Sequence, residues 1–168
     1  MLRPPDVVVL FAVISARDSW TIRSLADRLG VPHATVQRAL TRLAQAGVYD
    51  GDSRQAIPYE AEDFVEHALR YLHPVNLGAL VRGVPTAWAA SPLREEIVSD
   101  DPPPVWPDPD GSVHGHAVEP LDPRLPALSR TWPAVAQLAA LADAIRLGDV
   151  HSRAAAQRHL HGRIYRRR

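Results

Sequence analysis

The apolar positions of the first sixty residues fall into three helical runs. Asp6 to Arg17 forms the first, opened by Pro4 and Pro5, whose missing N–H groups cost little at a helix start. Its Val7-Val8-Val9 run is a poor intrinsic helix former, so packing has to hold it. Thr21 sits where an N-cap belongs. Ile22, Leu25, Ala26 and Leu29 then recur at i, i+3, i+4 and i+7, one stripe of an amphipathic helix, and Gly30 ends it. Pro32 starts a third helix carrying Val36, Ala39, Leu40 and Leu43 on one face, which Gly47 closes. Asp50-Gly51 lies between short apolar pieces and signals a small β-hairpin, stopped by Pro58.

Beyond the hairpin the pattern is weaker. Residues 60–72 predict a helix with Phe64, Ala68, Tyr71 and Leu72 along one side. Residues 73–91, rich in Gly, Pro and small apolar residues, predict no defined element. Pro92 to Val98 predicts a short helix and 101–111 a proline-rich connector. Val105-Trp106 and Ser112 to Val118 flank Asp110-Gly111, which suggests a second hairpin. Trp132 to Leu147 predicts a helix with Val135, Leu138, Ala139, Ala142 and Ile145 on one side and Gly148 as its stop. A last helix runs from Val150 to about Tyr165. The expected architecture is mainly α, of the α+β class. It has a head of residues 1–59 and a C-terminal helical region, 60–168, that includes a β-hairpin.

A helix, a tight turn with glycine, and a second helix over residues 21–46 is the spacing of a helix-turn-helix. The two helices must cross steeply, which needs a tight turn and small residues at the crossing. Gly30, Val31, Ala26 and Ala39 meet those needs. The outer side of the second helix then presents His33, Thr35, Gln37, Arg38, Thr41 and Arg42, none of them acidic. Arg can grip guanine and Gln adenine in bidentate fashion.

The string from Thr21 to Leu40, with Leu43 and Ala46-Gly47-Val48 following, resembles bacterial winged helix-turn-helix transcription regulators of the IclR and MarR type. Those carry a similar leu-ala-x-x-leu-gly-val-x-x-x-thr-val-x-arg-x-leu run. The resemblance covers residues 21–48. It implies DNA binding by the second helix, with Thr35, Gln37, Arg38 and Arg42 at DNA-facing positions and a wing near Ser53 and Arg54. The wing is short and carries Asp50 and Asp52, which would repel phosphate if they faced it. Past residue 60 the chain resembles neither the ligand-binding domain of the first group nor the dimer helices of the second, so no effector follows.

Charge sharpens this picture. All 19 basic side chains are Arg and the net charge is zero, which argues against a strongly basic nucleic-acid coat. The distribution is uneven. Residues 1–59 carry +2, residues 60–149 carry −8, and residues 150–168 carry six Arg and no acid. A weakly basic head, an acidic middle and a basic tail suit a head that meets DNA and a middle that does not. The absence of cysteine excludes disulfides, thiolate metal sites and cysteine nucleophiles. No run approaches the roughly 20 apolar residues of a membrane span, and no secretory signal is evident, so a cytoplasmic protein is expected.

Other chemistry is thin. His114 and His116 share a strand face, but a metal site needs three or four ligands; His151, His159 and His161 would have to be recruited to it. Surface histidines are the simpler reading. Asp108 and Asp110 flank a proline in a turn, where Asp is favoured for backbone hydrogen bonds. Glu95-Glu96 and Glu60, Glu62 and Asp63 suit helix starts. Trp88, Trp106 and Trp132 fill the core of the acidic middle or line a pocket in it. No nucleophile elbow or phosphate-cradling glycine loop is present. The expectation is a non-enzyme without metal or cofactor: a transcription regulator of the repressor kind that reads the major groove with helix 33–46. It would act as a homodimer, touching through the 132–147 helix and the basic last helix. The alternative is an antitoxin-like protein that neutralises a protein partner and autoregulates its operon.

Overall fold

The computed structural model describes residues 1–17 and 19–166. Of the basic tail, Arg167 and Arg168 lie outside the described residues. Three helices open the chain: α1 (Pro4–Ala16), α2 (Ile22–Leu29) and α3 (His33–Gln45). A minimal antiparallel hairpin follows, β1 (Tyr49–Asp50) with β2 (Gln55–Ala56). Next come α4 (Pro58–Asp63), a π-helical turn over Phe64–Ala68, and α5 (Leu69–Leu72). Strands β3 (Leu80–Pro85), β4 (Pro104–Pro107) and β5 (Val113–Ala117) form a small closed sheet. Helices α6 (Leu125–Thr131), α7 (Pro133–Leu147) and α8 (Val150–Ile164) complete it. The α+β class is as expected.

Two helices make the centre. Every residue from Asp6 to Val13 of α1 is buried, and α7 is buried almost continuously from Val135 to Arg146. A helix apolar on all sides needs cover on all sides. For α1 that cover comes from α3 and α7, with β2 and α2 also in contact. The poor helix formers Val7, Val8 and Val9 are therefore held by packing. The alanines of α7 (Ala136, Ala139, Ala140, Ala142 and Ala144) let its neighbours α1, α6 and α8 approach closely. The buried apolar side chains on both sides of residue 60 form one contiguous cluster, so the expected boundary between head and C-terminal region is not a boundary in the core. The same burial leaves the 132–147 helix little surface for the expected dimer contact: Pro133 and Ala134 of its first turn are exposed, and Gln137 and Leu147 are half-buried.

The 58–72 segment is helical but in a different phase. Ala61, Val65 and Leu69 are buried, whereas Tyr71 and Leu72 are exposed. Two apolar stripes compete along this sequence, and the π turn, with its wider winding, puts the 61-65-69 stripe inward. Pro58 starts the helix at its first turn. From Pro92 to Val98 the only regular element is a 3₁₀ turn over Leu93–Glu95.

The second hairpin is absent. β4 and β5 run parallel (Pro104 opposite His116, Val105 opposite Ala117), and each is antiparallel to β3. The strand that organises them, β3, lies in the segment that predicts no element. Closure draws the backbones very near: a Cβ on Gly83 would fall on the Trp106 carbonyl, and one on Gly115 on the Pro103 carbonyl. Beneath the sheet lies a buried polar knot. The Asp143 carboxylate accepts from Thr86 Oγ1, Trp106 Nε1 and Arg146 Nη1, each at 2.7 Å, and Arg146 Nε donates to the His73 carbonyl at 2.8 Å. Burial pushes the Asp143 carboxyl up; the Arg146 guanidinium and the other donors pull the other way.

Candidate nucleic-acid interface

Local chemistry sets α2 and α3 at their angle. Thr21 and Ser24 cap α2 reciprocally: Ser24 N–H donates to Thr21 Oγ1 at 3.0 Å and Thr21 N–H to Ser24 Oγ at 2.8 Å. At the other end Gly30 adopts φ +71°, a left-handed conformation that a β-carbon would strain. The amides of Gly30 and Val31 then return to the last turn of α2. Pro32 is extended and sends the chain into α3. Leu25, Ala26 and Leu29 bury against Val36, Ala39, Leu40 and Leu43, with the two alanines giving room at the crossing.

The opposite side of α3 is open. His33, Gln37, Arg38 and Thr41 are exposed on it. Arg38 has no hydrogen bond or ion pair among the described residues. Thr41 Oγ1 donates back to the Gln37 carbonyl at 3.0 Å, and His33 Nε2 lies 3.9 Å from the Asp27 carboxylate. Thr35 is half-buried, in a crevice shared with Val8, Ala39 and Leu128. Arg42 does not share the open surface. Its Nε and Nη2 each reach a carboxylate oxygen of Asp6 at 2.8 Å, and Asp6 is buried in α1. That pair also raises the Arg42 pKa, the hydrogen bond to Asp6 contributing most. The helical wheel puts Arg42 outward; the buried acid across the interface draws it in. Arg23, exposed in the first turn of α2, is an additional cation on the head that sequence pattern alone does not single out.

The β1–β2 loop engages one of its two acids. The Asp50 carboxylate turns onto its own loop, accepting from the Asp52 and Ser53 amides at 3.2 Å each. The Ser53 hydroxyl and these two amides hold it below the usual carboxylate range. Ser53 and Asp52 remain exposed. Arg54, at φ +58°, folds back toward the body. Its guanidinium lies 4.4 Å from the centre of the Trp20 ring, and Nη2 donates to the Trp20 carbonyl at 2.8 Å. Trp20 in turn meets Tyr49 of β1, ring centres 6.4 Å apart. Arg54 thus braces the loop against the helices.

Comparison of the chain with protein-family models, with curated proteins and with solved structures finds no match.

The remaining candidates are scattered. His114 is exposed on β5, and His116 Nδ1 lies 2.9 Å from the Gly78 carbonyl. His159 pairs with Glu96 at 2.5 Å and His161 with Glu62 at 2.6 Å. Among the described residues no group of three or more His, Asp or Glu is placed to hold a metal ion, and no helix is long and apolar enough to cross a membrane. Asp108 accepts from the Asp110 amide at 3.0 Å and from Arg130 at 2.8 Å, a turn brace. Trp106 and Trp132 are core residues, and the Arg28 guanidinium stacks 3.5 Å from the centre of the Trp132 ring.

Proposed function

We propose that this chain binds double-stranded DNA as a winged helix-turn-helix, with α3 as the helix that enters the major groove and the β1–β2 loop as a short wing. The reading is that of a sequence-specific transcription regulator. One observation carries it: the open face of α3 bears His33, Gln37, Arg38 and Thr41 with no acid among them, and Arg38 is unpaired among the described residues. A free guanidinium beside an amide on an exposed helix face matches the donor and acceptor edges of guanine and adenine. Arg42 and Arg54 leave the list of direct readers, because Asp6 and Trp20 already hold them. Their part is to fix the helix and the wing. Arg23, exposed in the first turn of α2, is the candidate phosphate contact. Two-fold related copies on a palindromic site would double the bases read.

The test is binding to duplexes tiled over the region upstream of the protein's own gene, followed by fluorescence anisotropy. Arg38→Ala is expected to weaken the preferred duplex by about 1–3 kcal/mol and relax specificity at one position, with an unchanged melt. If Arg38→Ala and Gln37→Ala both bind like wild type, α3 is not the reader.

A further inference from the structure

A cleft of about 200 Å³ opens where the end of α1, strand β2 and the end of α8 meet. Val13, Ile14 and Ala56 are among its apolar lining. Arg17, Arg163 and Arg166 also line it, and among the described residues no carboxylate does. The three guanidinium groups form no hydrogen bond or ion pair among the described residues. The acid of α4 that faces α8, Glu62, is engaged by His161. Other arginines pair with carboxylates, as with Asp6, Asp108, Asp122, Asp143 and Glu96, and single exposed ones such as Arg38 stand apart from one another, whereas here three share one cleft.

Gathering three guanidiniums with no counter-charge among the described residues is unfavourable by itself, since like charges repel most where water is partly excluded. Arg163 is half-buried. Burial lowers its pKa most, and the neighbouring Arg166 lowers it further, yet an arginine stays charged in a protein. Arg17 is held at the cleft in a left-handed backbone conformation, φ +57°, which a non-glycine residue adopts only when its surroundings impose it. A bound dianion would answer both the repulsion and the lost hydration. Guanidinium forks fit phosphate oxygens in bidentate geometry.

We propose that this cleft is a phosphate-binding site formed by Arg17, Arg163 and Arg166. The phosphate comes either from a nucleic-acid backbone passing beside β2 or from a free phosphorylated compound. The site is separate from the open face of α3. The DNA-backbone source rests on the DNA-binding reading; the free-phosphate source does not.

Two measurements on the full chain decide it. In the first, chloride is replaced by pyrophosphate at constant ionic strength and the thermal melt is followed. Wild type is expected to rise by roughly 3 °C or more at ten times Kd, and Arg163→Gln and Arg166→Gln to lose that rise. In the second, binding of a duplex of arbitrary sequence is measured against salt. Arg17→Gln and Arg166→Gln are expected to reduce the slope of log K on log salt by about one each if the phosphate is DNA's. Protection by pyrophosphate with unchanged slopes assigns the site to a free phosphorylated compound. The proposal is overturned if pyrophosphate gives no protection and the salt slopes stay unchanged. If Arg38→Ala and Gln37→Ala both bind DNA normally while pyrophosphate still protects, the reading of α3 fails and this one stands.

Discussion

Arg42 of α3 and Asp6 of α1 form a bidentate ion pair, with both contacts at 2.8 Å and the acid buried at the start of its helix. Asp6 also accepts the Arg3 amide at 2.8 Å, so one carboxylate closes the N-terminus of α1 and pins α3 across it. Removing the guanidinium leaves a buried charge with one weak donor. Arg42→Ala is therefore expected to destabilise the chain by about 3 kcal/mol, the lower end of what such breaks cost because the Arg side is partly exposed. A urea melt checks this. A loss below 1 kcal/mol would mean that the pair is incidental. Any fall in DNA affinity of this variant should follow its stability, which separates it from Arg38→Ala.

Much of the head was legible because each helix carries one clear stripe and a recognisable start or stop: Thr21, Gly30, Pro32. The fate of individual arginines was not. A helical wheel places Arg42 outward, and nothing in the local sequence says that Asp6, 36 positions away, is buried opposite it. Arg54 and Trp20 are a similar pair, joined only by the fold. In the C-terminal region β3 escaped because Gly83 and Pro85 interrupt its pattern, and without it β4 and β5 look like neighbours in a hairpin. Both glycines that break the pattern, Gly83 and Gly115, are there because the closed sheet leaves no room for a side chain.

That crowding gives a direct test. Gly83→Ala puts a methyl group on the Trp106 carbonyl, a clash with backbone that no rotamer relieves. It is expected to cost at least about 2 kcal/mol and to shift the fluorescence of Trp106, whose indole N–H is bound to Asp143. Alanine at Gly162, where an added Cβ meets nothing within 4 Å, serves as the control and should leave both unchanged. Equal behaviour of the two variants would show that the sheet is not closed.

His73 supplies the pH dependence. Its Nε2 is buried with no hydrogen-bond partner among the described residues. Burial first, and then the Arg146 guanidinium, lowers its pKa below the ordinary 6.5, with Asp6 opposing weakly. In this case the unfolded chain binds the proton more readily than the folded one. Stability is thus full above the ordinary histidine value and is lost as pH falls from there toward the lower folded value. His73→Gln is expected to flatten the decline in urea midpoint between about pH 7 and pH 5.5. If variant and wild type decline in parallel, His73 is not the group responsible.

The core predicts that the head cannot stand alone. Residues 1–59 contain α1, α2, α3 and the small hairpin, and by sequence they look like a separable domain. In the fold, α1 is buried all round, and one flank of it is covered by α7, from beyond residue 59. Cutting after residue 59 would expose that flank, which includes several of the side chains from Val7 to Val13, each about 1.5–3 kcal/mol to bury fully. It would also remove Trp132 from under the Arg28 guanidinium. Against the 5–15 kcal/mol that stabilises a typical domain, this loss is decisive. The fragment is expected to melt without cooperativity and to bind ANS, the mark of exposed apolar surface without fixed packing. Full-length protein should melt in one transition with head and C-terminal probes in step. A fragment that melts cooperatively, with the midpoint of the whole chain, would show that α1 does not need α7 and that the core is divisible after all.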